Sequence, residues 1–337
     1  MSKLIFKDLY LFSPSEKLAK KISFAPGRTM ITSDAHDGTD RGKSVIMKAL
    51  YHTMGADCYF EGKWDDSSKT YILRFCVDDD EYYIFRHNKL FKVFDGEKNL
   101  LFSVISRHEL SERLSSITGF AVKLPPRERN SDDGYIQELE IASAVYNYLL
   151  YFVDQSVAED LDTIRNSISE NEKKLREVKK SLRKYGEIKK KINERYYALM
   201  LSDKNRFGLE GINAKSFENI KRTFSAGGSN NPLSTIIWYV NLIQLKHEFN
   251  PSAIDFPVVF DSPNNAETDE TKKRQIYSYI CERITENQLI VSGLGVSGDE
   301  ILDSFDSIIT LTNNKYELLC QKDYDANVSL LRELNNK

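Results

Sequence analysis

Residues 37–44 read Asp-Gly-Thr-Asp-Arg-Gly-Lys-Ser, and Val45-Ile46-Met47 follow at once. The octet ends as a phosphate-binding loop ends: a glycine, a lysine, a hydroxyl and then the apolar start of a helix. Such a loop turns backbone N–H groups toward phosphates, neutralises them with the lysine and holds Mg²⁺ through the hydroxyl. The octet departs from G-x-x-x-x-G-K-[ST] at its first position, where Asp37 stands, and Gly38 comes one place late. The flanking sequence must therefore decide whether this is a nucleotide site.

Upstream, residues 4–12 and 21–32 predict two strands joined by a polar turn, the second running into the octet. Downstream, Lys43 to Gly55 predicts a helix with Val45, Ile46, Ala49, Leu50 and Met54 on its apolar face. Strand, loop and helix in that order are the context a phosphate loop requires. Residues 70–95 then carry three short β runs separated by hairpin turns, and 107–118 read as a helix. After the polar stretch 127–134, residues 136–152 read as a helix that closes in an apolar-aromatic run before Asp154-Gln155.

Between 158 and 200 the composition shifts to Glu, Lys, Arg, Leu and Ile without proline. Leu161, Ile164, Ile168, Asn171, Leu175, Val178, Leu182 and Tyr185 alternate by threes and fours, a heptad seam. Ile188 and Ile192 are read as one residue early, just after Tyr185-Gly186. Two readings are open here: an antiparallel helical hairpin turning near 184–187, which is favoured, and one long helix with a stammer.

Beyond 215 the globular pattern resumes. A Ser/Gly/Asn loop at 225–231 opens a helix over 233–248. Phe256-Pro257-Val258-Val259-Phe260 predicts a buried strand that ends in Asp261-Ser262-Pro263. A helix over 268–286 and strands over 288–292, 307–311 and 316–320 complete an alternation that indicates an α/β core. Asp261, at the C-terminal end of an apolar strand, stands where open α/β sheets bind ligands, and it is the candidate partner of Ser44 in holding Mg²⁺.

The order of these features resembles the ABC-type ATPase heads of the SMC, RecF and RecN families, the double-strand-break-repair ATPase superfamily. Short arms and Asp-Ser-Pro at 261–263 look most like the SMC-like subunits of Lamassu-type antiphage defence systems. The resemblance implies an α/β ABC-type P-loop head with an antiparallel β subdomain and a short antiparallel coiled-coil insertion. It divides the chain into an N-terminal lobe (1–155), a coiled-coil stub (156–202) and a C-terminal lobe (203–337).

It also implies roles for single residues. Gly38, Arg41, Gly42, Lys43, Ser44 and Val45 would surround the phosphates of ATP. Gln155 would contact Mg²⁺ and the attacking water, and Asp261 would hold Mg²⁺ with Ser44. Ser225, Gly227, Gly228 and Ser229 would form the signature loop that binds ATP held by a second copy. Asn264-Asn265-Ala266-Glu267 would lie at the dimer contact. The implied partners are a second copy across sandwiched ATP, DNA and an effector or accessory protein.

Two departures bear on chemistry. Ser262 occupies the usual place of the catalytic glutamate, and a serine is a poor general base. Glu267 is the candidate substitute. Ser292-Gly293 stands where a switch histidine is usual. ATP binding with slow hydrolysis is therefore expected, and an ATPase-like scaffold is the alternative. A P-loop kinase or GTPase explains neither the coil nor the Ser-Gly-Gly loop. The arm is short for the family, so it is a natural stub or, as the register slip favours, a shortened one. The lysine-rich segment 173–191 reads either as a DNA contact or as a solvated coil face.

Composition adds outer bounds. The 337 residues are 41% hydrophobic and 29% charged with a net charge of −3, so nucleic-acid binding would need a local basic patch. Cys58, Cys76, Cys281 and Cys320 are scattered, which fits a reducing cytoplasm without a disulfide framework or zinc site. No run is apolar and long enough to suggest a membrane span.

Overall fold

The computed structural model describes residues 2–33, 39–56, 58–60, 64–120, 158–222, 230–263, 270–293 and 299–337. Two sheets organise them. A six-stranded antiparallel sheet has the order β2-β1-β4-β5-β6-β7. It comprises β1 (Leu4–Ser13), β2 (Leu18–Ser23), β4 (Thr70–Val77), β5 (Asp80–His87), β6 (Leu90–Asp95) and β7 (Leu100–Val104). A four-stranded parallel sheet has the order β10-β3-β9-β8. Its members are β3 (Arg28–Ser33), β8 (Val258–Phe260), β9 (Leu289–Ser292) and β10 (Ser307–Leu311).

The three β runs expected over 70–95 are found, and β7 is a fourth that the sequence reading missed. The single strand expected over 21–32 is two strands. Pro26 has no N–H to donate, and the Ala25 N–H bonds the Thr29 hydroxyl at 2.9 Å. The chain there leaves the antiparallel sheet and enters the parallel one. Gln288, buried, joins the two sheets: its amide accepts from Phe6 N–H at 2.8 Å and donates to Phe6 O and Ala25 O at 2.8 and 2.7 Å.

The described residues also hold seven α-helices, α1 (Lys43–Thr53), α2 (Arg107–Thr118), α3 (Ala158–Arg206), α4 (Asn230–Phe249), α5 (Glu270–Arg283), α6 (Asp299–Leu302) and α7 (Gln321–Asn336), and two short 3-10 turns, Asp66–Ser68 and Ala214–Glu218. Residues 316–320 are not the strand expected. Cys320 makes only an isolated bridge with Ala19, and the chain then turns into α7. Leu331 and Leu334 of α7 are buried against Tyr10, Phe12 and Phe94 of the antiparallel sheet.

The favoured hairpin at 184–187 is overturned, because α3 runs unbroken for 49 residues through Gly186. The seam itself explains this. Ile192 lies seven residues after Tyr185 and keeps the register, and Tyr196 and Leu199 continue it, so only Ile188 stands one place off. A glycine inside a helix costs only about 1 kcal/mol, which the neighbouring good helix formers offset. The expected helix over 136–152 lies outside the described residues.

The C-terminal end of α3 is built into the fold. Tyr196, Leu199 and Met200 are buried with Ile237 and Val240 of α4 and Ile276 and Ile280 of α5. Asp203, wholly buried, accepts from Asn241 Nδ2 at 2.9 Å, Tyr279 Oη at 2.7 Å and Arg283 Nη2 at 3.2 Å. A buried carboxylate is tolerable only with such donors, and these tie three helices at one point.

Candidate nucleotide site

β3 is central in the parallel sheet and points its C-terminal end at the octet. Gly42 caps α1 with φ of +95°, a left-handed conformation that favours glycine. The first turn of α1 carries no acidic residue, and no side chain caps it. The N–H donors and positive dipole end of that turn therefore suit an anion.

The loop is braced from outside. Tyr316 N–H donates to Asp40 O at 2.8 Å, and its hydroxyl donates to the Asp40 carboxylate at 3.0 Å. Arg41 Nη1 donates to Asn313 O at 2.5 Å, and Asn313 Nδ2 returns a bond to Arg41 O at 3.1 Å. Val45 packs half-buried against the main core. Nothing in the sequence pattern marked Asn313 or Tyr316, because their contact with the octet depends on β10 lying beside β3.

Lys43 is 7% exposed and donates to the Ser33 hydroxyl at the end of β3. Burial pushes its amine below the ordinary lysine value; the carboxylates of Asp261 and Asp40 act against this, and Arg41 reinforces it. Asp261 follows β8, two strands away from β3 with β9 between. The fold thus brings the lysine of the octet and the strand-end aspartate within electrostatic reach. Ser44 is exposed on the same helix end.

Asp261 is held by Ser292, whose hydroxyl donates to its Oδ1 at 2.7 Å. The same Ser292 oxygen accepts the Ser262 N–H at 2.9 Å. The sequence reading noted Ser292 only as a missing histidine; its place at the end of a buried apolar strand was the available signal. Among the described residues no group of three or more His, Cys, Asp or Glu could hold a metal ion. The set still fits Mg²⁺, which is commonly bound by one or two carboxylates together with substrate phosphates. Of the remaining expected site residues, Gly38, Gln155, Ser225, Gly227, Gly228, Ser229 and Glu267 lie outside the described residues.

No family model matches the chain. The chain resembles a Lamassu protein. It is 34% identical over 155 residues to the Lamassu protein LmuB of Bacillus cereus (strain VD014), a stretch covering 46% of this chain. That stretch spans only 25% of the length of LmuB.

A second Lamassu protein LmuB, from Bacillus sp. (strain NCIM 5461 / CCTCC AB 2011126 / NIO-1130), is 29% identical over 82 residues. That match covers 24% of this chain and 14% of the relative. Among solved structures, a Smc head domain with an extended coiled coil, bound to the C-terminal domain of ScpA and derived from Pyrococcus furiosus, has a TM-score of 0.49. It is 14% identical and covers 98% of this chain and 100% of that one. The two Lamassu proteins are of the kind that the order of motifs resembles. Among the described residues no helix is long and apolar enough to cross a membrane.

Proposed function

We propose that this chain is an SMC-like ATPase head that binds ATP and Mg²⁺ and associates with a second copy when ATP is bound. The observation that carries this reading is the convergence of Lys43 and Asp261 on one end of the parallel sheet. The first turn of α1 and Lys43 would hold the phosphates, and Ser44 and Asp261 would hold the metal. Bound Mg²⁺ would offset the charge of the phosphates and orient them.

Gln155 would add a metal ligand, as the resemblance implies. Gly38 and Glu267 keep the roles that the resemblance implies, as do the loop residues Ser225, Gly227, Gly228 and Ser229 at the copy-to-copy contact.

Likeness to Lamassu proteins supports a role in bacterial antiphage defence, with an effector or accessory protein as partner and the cytoplasm as setting. DNA is the proposed nucleic-acid partner. Between Lys173 and Lys191 the chain carries ten Lys or Arg and two Glu, against a net charge of −3 overall. That local excess supports a DNA contact, while the pairs Arg176–Glu172 and Lys190–Glu194 at i,i+4 suit the alternative of a solvated coil face.

The deciding measurement is nucleotide binding and mass in solution. The wild type should bind ATP and shift from monomer to dimer with ATP, and Lys43→Ala should do neither. A mass unaffected by ATP would sink the association. Ser262 and Ser292 favour a second reading, an ATPase-like scaffold that binds without turnover. ATP binding with no measurable hydrolysis would support it.

A further inference from the structure

Asp261, Ser262 and Ser292 form one hydrogen-bonded unit where β8 and β9 end. The Ser292 hydroxyl has a single proton, and the bond to Asp261 Oδ1 at 2.7 Å uses it. Its oxygen accepts the Ser262 N–H at 2.9 Å, and the Ser262 hydroxyl lies 3.3 Å from both Ser292 Oγ and Asp261 Oδ1. Ser292 has no exposed surface and pairs in register with Ile31 of β3. Ser262 takes a left-handed backbone, φ +50°, which a non-glycine residue holds only when its surroundings impose it.

Both departures from the pattern that the resemblance implies fall within this unit. A histidine at 292 has no hydroxyl to give Asp261 or to accept the 262 N–H, and a glutamate at 262 keeps that backbone N–H but lacks the hydroxyl that lies between Asp261 and Ser292. With serine at both, the Ser292 hydroxyl is committed to the aspartate and to the turn after it.

We infer that Ser292 is a positioning residue for the proposed metal site: it fixes the Asp261 carboxylate through Oδ1 and leaves Oδ2 as the metal-binding oxygen. This rests on reading the site as one for Mg²⁺ and nucleotide. A group that orients a ligand carboxylate from behind commonly changes metal affinity by about 10–100-fold when it is removed. A hydroxyl that merely satisfies the Ser262 N–H would alter stability and leave metal affinity alone.

The test uses the full chain, ATP and Mn²⁺ as a paramagnetic probe, with free Mn²⁺ followed by electron paramagnetic resonance. Ser292→Ala should weaken Mn²⁺ binding in the presence of ATP by about tenfold or more. Its affinity for ATP in EDTA should stay at the wild-type value. Ser292→Thr, which keeps the hydroxyl, should recover most of the Mn²⁺ affinity. Unchanged Mn²⁺ affinity in Ser292→Ala overturns the assignment, as does an equal loss of metal-free ATP binding. A wild type that binds ATP in neither condition overturns the nucleotide reading itself, a result distinct from failure of the Ser292 role.

Discussion

A β-carbon placed on Gly42 would lie 2.8 Å from Cδ2 of Leu318, with two further Leu318 side-chain atoms at 3.0 Å. The glycine that starts α1 is thus closed in by the chain that follows β10. Gly42→Ala should therefore suffer twice, from the overlap and from a left-handed backbone that costs an alanine roughly 1–2 kcal/mol. The expected outcome is a lowered melting temperature together with strongly reduced ATP affinity, checked by thermal denaturation and isothermal titration. Wild-type ATP affinity in this variant would count against the loop as the phosphate site.

Lys43 should give the site a pH signature. Burial holds its amine below the ordinary lysine value of 10.5. At lower pH both the folded and unfolded chains carry the proton, and the fold bears the cost of burying the charge. As pH rises through the lowered value toward 10.5, the folded chain loses the proton first, so the stability contributed by this group rises. Relative to Lys43→Met, the wild type without nucleotide should gain thermal stability on moving from neutral to alkaline pH. Its ATP affinity should fall over the same interval, because the phosphates lose their cation. Melting curves and ATP titrations at several pH values check both directions.

Gly186 distinguishes a continuous helix from a turn. It is absent from the positive-φ positions, and a β-carbon there meets nothing within 4 Å. Gly186→Ala should therefore raise helix stability by up to about 1 kcal/mol. Circular dichroism during thermal unfolding reads the change. A destabilised Gly186→Ala would instead indicate a turn that needs glycine.

The basic stretch of α3 should bind phosphates without reading sequence. Lys180, Arg183 and Lys184 are all exposed. Reversing the three to Glu should weaken duplex-DNA binding at low salt and flatten its dependence on salt, since fewer counterions are released. ATP binding at the head should not change. Fluorescence anisotropy with a labelled duplex over a salt series measures both effects. An unaltered salt slope would place the DNA contact elsewhere.

Much of the fold was legible because its signals are local. Alternating apolar residues marked β4, β5 and β6, and Gly42-Lys43-Ser44 before an apolar face marked α1. What escaped depended on distant chain. β7 is a short edge strand whose Leu100 and Leu101 are exposed, so it lacks a buried-face pattern. The division between β2 and β3 depends on two different sheets receiving the two halves. The final helix carries Leu330, Leu331 and Leu334 on one face, but the apolar run at 316–320 just before it has the pattern of a closing strand.

The sequence by itself determined the candidate chemistry: a phosphate loop at 37–44, a strand-end carboxylate at 261, and serines where a base and a switch are usual. Residue types and local periodicity suffice for that. Tertiary packing alone sets Lys43 within electrostatic reach of Asp261, Ser292 against that aspartate and Leu318 against Gly42. The physical reason is that parallel strands distant in sequence must lie side by side before their ends can share one site. β9, inserted between β3 and β8, sets that spacing, and no local pattern announces it.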